Sequence, residues 1–403
     1  MSRRSRVALG VALSLVMLLG TIPAVTARLG DQTLAAIDPL DTNQPAIPAS
    51  VHHVITIVME NEEYSQVIGN PSAPYQNALA ANYTLLTSYY AVSHPSLPNY
   101  LAMVSGTTYV SSDCLPSQCS TNSSSIVSLL QGSGLTWKEY AESMPTNCSQ
   151  VVSPDGLYQP KHDPFVYFSS ITGNNGSGQT SSYCDSHVVS FAQFWTDLNS
   201  SSFPNYSFVT PNNCDDGHSC SISTADAWLS MVVTRIEGSQ DFNSTVLFVV
   251  YDEGSTNAGF GNAHGGQVPC IVVSPFATRG YKSAVPYSHY SLLSTTESLL
   301  GLGSLGRNDS TAQVMYDALA ACPAQSGEVV GGACERTTIS STSSGISGTS
   351  STSSGGDNLF FSSGLPLLYA LAVGIGVATV LLMVTGRTRG RTVSNHRYAQ
   401  PEI

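Results

Sequence analysis

Three short runs of β-branched and apolar residues, each stopping abruptly in polar ones, constrain this chain most. His53-Val54-Ile55-Thr56-Ile57-Val58-Met59 runs into Glu60-Asn61, Ser207-Phe208-Val209-Thr210 into Pro211-Asn212-Asn213, and Val246-Leu247-Phe248-Val249-Val250-Tyr251 into Asp252-Glu253. Near-continuous apolar runs of this length read as strands covered on both faces rather than as half-solvated ones. Helical stretches, such as Ser223 to Ile236 and Tyr290 to Leu302, lie between and beyond them. Alternation of strand and helix predicts an α/β fold with a mostly parallel central sheet sandwiched by helices. Ligands of such sheets bind in the crevice at the carboxyl ends of the strands, which is where the polar residues fall.

A single Asp or Asn after a strand is ordinarily a turn former or a helix cap. Glu60 together with the Asp252-Glu253 pair is harder to explain that way, because like charges brought to one edge are costly unless a hard cation neutralises them. A second element, Ser93-His94-Pro95-Ser96-Leu97-Pro98-Asn99-Tyr100-Leu101, predicts a helix start. Pro98 fits a first turn, where its missing N–H costs nothing, and the apolar face beginning at Leu101 and Val104 runs to Gly106. Ser96 then sits at a helix N-terminus, either as a cap or as a nucleophile in a place that favours an anion. A cation held by Glu60 would lower the hydroxyl pKa and orient it. Histidines fall in loops flanking the same sheet: His218 in Asp216-Gly217-His218, His264 before the strand at Val268, and His289 before the helix from Tyr290.

These residues resemble a known family. Val54 to Asn61, Ser93 to Tyr100, the stretch Gly134 to Pro145, Lys161-His162-Asp163-Pro164-Phe165, Thr210-Pro211-Asn212 with Asp216-Gly217-His218, Tyr251-Asp252-Glu253 and Ser288 to Leu293 occur in order over about residues 51 to 320. Together they are similar to the phosphoesterase family of acid phosphatases and phospholipases C, within the alkaline phosphatase superfamily, and the length resembles its compact acid-phosphatase-like branch. The resemblance implies an alkaline-phosphatase-like core and a phosphoester hydrolase. It places metal ligands at Glu60, Asn61, Asp216, Asp252 and Glu253, and the nucleophile, itself metal-bound, at Ser96. Substrate contacts are implied at Asn99, Lys161, His162 and His264, and proton carriers at His218 and His289. The implied reaction is covalent: Ser96 attacks phosphorus, the alcohol leaves, and water hydrolyses the phosphoserine. The cofactor is a divalent ion; oxygen ligands suit calcium, magnesium or manganese, and the histidines admit zinc or iron.

The ends of the chain carry a different message. Arg3, Arg4 and Arg6 precede an apolar run from Val7 to Leu19, and Val25-Thr26-Ala27 resembles a cleavage site, so residues 1–27 are expected to be a signal peptide. Residues 28–50 read as an extension, 51–325 as the catalytic domain with a cap-like insertion at about 107–195, and 326–358 as a Ser/Thr/Gly-rich stalk. An uncharged stretch at 364–385 precedes Arg387, Arg389 and Arg391, the pattern of a transmembrane helix with the 386–403 tail inside. The expected location is the cell membrane, single-pass, with the catalytic domain outside and the lipid bilayer a partner through that helix.

Charge agrees with this layout. Seven of the 15 basic residues lie in the leader and tail against one of the 27 acidic ones, so the part between them is strongly acidic. Only three lysines occur, Lys138, Lys161 and Lys282, which leaves no basic stripe to neutralise a nucleic-acid backbone and excludes nucleic-acid binding by charge. With 42 % hydrophobic residues the chain builds a core, and wholesale disorder is excluded as well. Nine cysteines suit an oxidising compartment. The pairs Cys114/Cys119, Cys214/Cys220, Cys148/Cys184 and Cys322/Cys334 are expected, with Cys270 left as a free thiol in a buried strand. Eight Asn-x-Ser/Thr sequons permit glycosylation. The expected substrate is a small phosphomonoester; a phospholipid or other diester is the second enzymatic reading, and a non-catalytic surface glycoprotein the reading of another class.

Overall fold

The computed structural model describes residues 48, 50–173 and 180–319, all within the first of two units, 1–335 and 336–403. The expected signal peptide, stalk, apolar span, tail and the Cys322/Cys334 pair lie outside the described residues. Among the described residues, no helix is long and apolar enough to cross a membrane.

The described residues form ten strands: β1 His53–Met59, β2 Thr84–Leu86, β3 Tyr89–Tyr90, β4 Trp137–Ala141, β5 Val188–Ser190, β6 Tyr206–Thr210, β7 Thr245–Tyr251, β8 Cys270–Val273, β9 Lys282–Ser283 and β10 Tyr287–Ser288. Eight form one sheet in the order β5-β4-β6-β1-β7-β8-β2-β9, and β3 pairs with β10 separately. The three runs anticipated above are the three central strands. β1 is parallel to both β6 and β7, and every residue of β7 and all but the first of β1 are buried, so both faces of the sheet are covered there. The four longest helices among the described residues are α1 Pro74–Asn82, α2 Ser96–Ser105, α3 Ile222–Glu237 and α4 His289–Leu299. α1 packs against α3, and α2 against α4.

The sheet is mostly parallel, as expected, with β8 the exception. β8 runs antiparallel to β7 and β2. Its connection from β7, residues 252–269, contains no helix, and without a crossover helix the chain returns in the opposite direction. The stretch 107–195, expected as a cap-like insertion, instead supplies β4 and β5, which extend the parallel sheet beyond β6. β4 is masked in the sequence by its charges. Lys138 is neutralised by Asp197 at 2.7 Å, and Glu139 is fully buried, its carboxyl held well above the usual range by burial and by Asp163.

Disulfides Cys114–Cys119, Cys148–Cys184 and Cys214–Cys220 are formed, and Cys270 is a buried free thiol. α2 ends at Gly106, whose φ of +74° suits a residue without a side chain. A Cβ there would also meet Asp309 Oδ1 at 2.4 Å.

Candidate active site

The register of the central strands builds the site. Met59 of β1 lies opposite Tyr251 of β7, so Glu60 and Asp252-Glu253 leave neighbouring strands at the same level. The Asp252 amide donates to the Met59 carbonyl at 2.9 Å, and the Glu60 amide donates to the Asp216 carbonyl at 3.0 Å. Backbone bonds thus hold the ends of β1 and β7 and the loop after β6 together before any side chain is considered. Glu60, Asp216, Asp252 and Glu253 are all buried.

Ser96 is the first residue of α2, and all ten residues of that helix are buried. Its hydroxyl donates to Glu253 Oε1 at 3.1 Å and lies 3.4 Å from Glu60 Oε2. The Asn61 amide donates to Asp252 Oδ1 at 2.9 Å, and Asn61 Nδ2 to Glu60 Oε2 at 3.1 Å. Glu60, Asn61, Ser96, Asp252 and Glu253, expected together, are together.

The electrostatics describe a cluster short of positive charge. Burial, then Asp252 and Asp216, hold the Glu60 carboxyl well above its usual range. Burial pushes Asp216 up to about 8, with Asp252 and Asp215 adding to it. Burial and the Glu253 charge push Asp252 up to about 7. His162 is driven the other way, well below the usual histidine range, by burial and by Lys161 and His218. Its Nε2 lies 3.3 Å from Glu60 Oε1 and its Nδ1 3.8 Å from Asp216 Oδ2.

Glu60, His162 and Asp216 therefore present ligand atoms within 4.8 Å of one another. Asp216 Oδ2, Asp252 Oδ2 and His162 Nε2 are buried with no hydrogen-bond partner, a costly condition in a protein interior. A divalent ion fits this donor set: three buried carboxylates, a neutral imidazole and orphaned atoms that a cation would satisfy. His162, expected as a substrate contact, belongs geometrically to this group.

The remaining expected residues divide. Lys161 donates to Asp113 Oδ2 at 3.0 Å; burial lowers its pKa, but Glu60, Asp113 and Asp252 outweigh that and hold it above the usual value. His218 is exposed, its ring 5.9 Å from that of His162, and its amide donates to Asp216 Oδ1 at 2.7 Å. His264 is exposed, with Nε2 at the Gly261 carbonyl.

Asn99 and His289 take other tasks than those expected. Asn99 is fully buried; its Oδ1 accepts from the Val92 and Ser93 amides, and its Nδ2 donates to the Ser93 and Pro95 carbonyls. With both oxygen lone pairs and both N–H groups used, it clamps the loop that delivers Ser96 and has nothing left for substrate. His289 is also fully buried, and burial pushes its pKa down to about 4. Its Nε2 lies 2.5 Å from the Asp252 carbonyl and its Nδ1 3.0 Å from the Tyr89 hydroxyl. Both nitrogens are engaged behind Asp252, so it positions that residue rather than carrying protons to solvent.

Three residues were not singled out from the sequence. Tyr100 donates to Glu60 Oε1 at 2.5 Å and stacks on His162; four residues after Ser96, it reads as part of the apolar helix face. His94 pairs with Glu253 through Nδ1, and its Nε2 lies 2.9 Å from the Thr256 carbonyl. Burial lowers the His94 pKa, but these two acceptors outweigh it and raise the value. Asp113 accepts from the Leu97 amide at 3.1 Å and from Lys161. His94 lies within the serine motif, which is a signal in the sequence; Asp113 lies in a loop after Ser111-Ser112 and gives none.

Comparison with known proteins identifies the family. The model of the phosphoesterase family matches residues 70–303. A phosphatidylinositol-3-phosphatase from Mycobacterium tuberculosis is 32 % identical over 292 residues, covering 72 % of this chain and 89 % of that protein. A probable acid phosphatase from Kluyveromyces lactis is 31 % identical over 278 residues, covering 66 % of this chain and 62 % of that protein. Among solved structures, a protein in the alkaline phosphatase superfamily from Vibrio parahaemolyticus is 14 % identical at a TM-score of 0.47, with 68 % of this chain and 74 % of that chain covered.

Proposed function

Since this chain belongs to the phosphoesterase family and is a hydrolase of phosphoric esters, we propose that it is an acid-phosphatase-like phosphomonoesterase that uses Ser96 as its nucleophile. One observation carries the reading: the Ser96 hydroxyl, at the start of a buried helix, donates to Glu253 and lies 3.4 Å from Glu60. A divalent cation held by Glu60, His162 and Asp216, with Asn61 and Asp252 at hand, would supply the charge that offsets these carboxylates and the phosphoryl oxygens. Ser96 Oγ forms the bond to phosphorus while the bond from phosphorus to the ester oxygen breaks, and that oxygen takes a proton from solvent to leave as the alcohol. Glu253 Oε1, already the acceptor of the Ser96 hydrogen bond, receives the proton, with His94 on its other oxygen. The Leu97 amide and Lys161 face developing charge on the phosphoryl oxygens. Water then cleaves the phosphoserine. His218, the exposed histidine beside His162, serves as the proton carrier.

The test is Ser96→Ala. Turnover of p-nitrophenyl phosphate is expected to fall by at least about 1,000-fold, with the circular dichroism spectrum and bound-metal content unchanged. Unchanged turnover removes Ser96 from the mechanism.

A lipid phosphomonoester is the second reading, supported by the mycobacterial relative named as a phosphatidylinositol-3-phosphatase. A panel of p-nitrophenyl phosphate, bis-p-nitrophenyl phosphate, phosphatidylcholine and phosphatidylinositol 3-phosphate separates the cases. Turnover of diesters alone would make the protein a phosphodiesterase or phospholipase C. The arginines after the apolar 364–385 stretch and the preceding Ser/Thr/Gly-rich tract support a catalytic domain tethered outside the membrane.

A further inference from the structure

The N-terminus of α2 already holds an anion, and it is one of the protein's own. Pro95 and Pro98 have no N–H, so the first turn presents the Ser96 and Leu97 amides. Asp113 Oδ1 accepts from Leu97 N–H at 3.1 Å, and Asp113 Oδ2 accepts from Lys161 Nζ at 3.0 Å. Leu97 directly follows Ser96 at the start of the helix, so its amide and the lysine that shares its acceptor are donors that a phosphoryl group on Ser96 could recruit. Lys161 is tied to the site by the chain as well, because it directly precedes His162, whose Nε2 lies 3.3 Å from Glu60 Oε1. Asp113 sits in an exposed stretch, Ser111 to Asp113, with its side chain 32 % exposed, so it can leave without disturbing the core.

We propose that the Asp113 carboxylate occupies the phosphate position of the active site, bridging the Leu97 amide and Lys161, and that substrate must displace it. Asp113 is then a positioning and selectivity residue. It neutralises Lys161 in the free enzyme, keeps the helix N-terminus satisfied, and competes with weakly held anions. A phosphate dianion, which gains both donors and the charge of the remaining site, displaces it; a singly charged or neutral ester gains less. The inference rests on the assignment of Ser96 as nucleophile.

The experiment is inhibition of p-nitrophenyl phosphate hydrolysis by inorganic phosphate in the wild type, Asp113→Asn and Asp113→Ser. Removing a competing, part-exposed carboxylate is expected to lower the phosphate inhibition constant about fivefold in both variants, with KM falling in parallel. In the Asp113→Asn/Lys161→Met double variant that tightening should be lost. An inhibition constant that is unchanged or raised in Asp113→Asn and Asp113→Ser overturns the proposal and leaves Asp113 as a helix cap, whose loss would register only in thermal stability. Should Ser96→Ala keep full turnover, the nucleophile assignment has failed; should Ser96→Ala be inactive while phosphate inhibition ignores Asp113, only this inference has.

Discussion

Glu60 illustrates how much a single buried carboxylate needs around it. Its two oxygens are shared among Tyr100, Asn61, Ser96 and His162, and no full cation stands within ion-pair distance of it among the described residues. Tyr100→Phe removes the strongest neutral donor to Glu60 without changing the helix. Loss of such a supporting bond to a ligand weakens metal affinity by about tenfold, so we expect half-maximal reactivation of chelator-treated enzyme to need roughly ten times more divalent ion. Titration of activity against added metal checks this, and an unchanged midpoint would mean that Tyr100 only packs. Full chelation is expected to abolish turnover by the wild type, with restoration by a divalent ion. At this scale the sequence was informative where chemistry and strand ends coincide. Glu60, Asp252 and Glu253 stand out because charge follows directly on an apolar run. Tyr100 and Asn99 do not, because a helix pattern registers their spacing and not the direction of their polar atoms.

Secondary elements were legible in proportion to their apolar continuity. β1, β6 and β7 announce themselves, and α2 is bracketed by Pro98 and Gly106. β4 does not read as a sheet strand because the half-buried Lys138 and the buried Glu139 depend on partners distant in sequence, Asp197 and Asp163. The segment that precedes β5 is held by Cys148–Cys184, which closes a loop of sequence separation 36. Chain-entropy arguments give such a link about 4 kcal/mol of stability. Replacing both cysteines by alanine should lower the melting temperature and the denaturant midpoint accordingly. Activity below the new transition should be retained, since neither cysteine touches the carboxylate cluster. A variant that melts like the wild type would show that β4 and its neighbours hold the edge unaided.

Over the molecule as a whole, buried acids with raised pKa values set how stability responds to pH. Glu297 on α4 is the clearest case outside the site: it is buried, one of its oxygens has no partner, and burial together with Asp309 pushes its pKa up to about 8. The native state therefore keeps a proton that the unfolded chain releases at an ordinary carboxyl pKa. Stability from this group is fully present below that ordinary value and is lost as pH rises through about 8. Asp216 and Asp252, at about 8 and about 7, act in the same direction when no cation offsets them. The metal-free protein should thus melt at progressively lower temperature between about pH 4.5 and pH 8. Added divalent ion should recover the part due to the site, and leave the part due to Glu297. Glu297→Gln separates the two, because a neutral amide of the same shape has no proton to lose. We expect it to flatten the remaining slope and to gain on the order of 2 kcal/mol over the wild type at pH 9, while matching or falling slightly below it at pH 5. Melting curves of both proteins across that range, with and without chelator, decide the matter: parallel curves would mean that Glu297 ionises in place at no cost, with water admitted to the α4 side of the sheet.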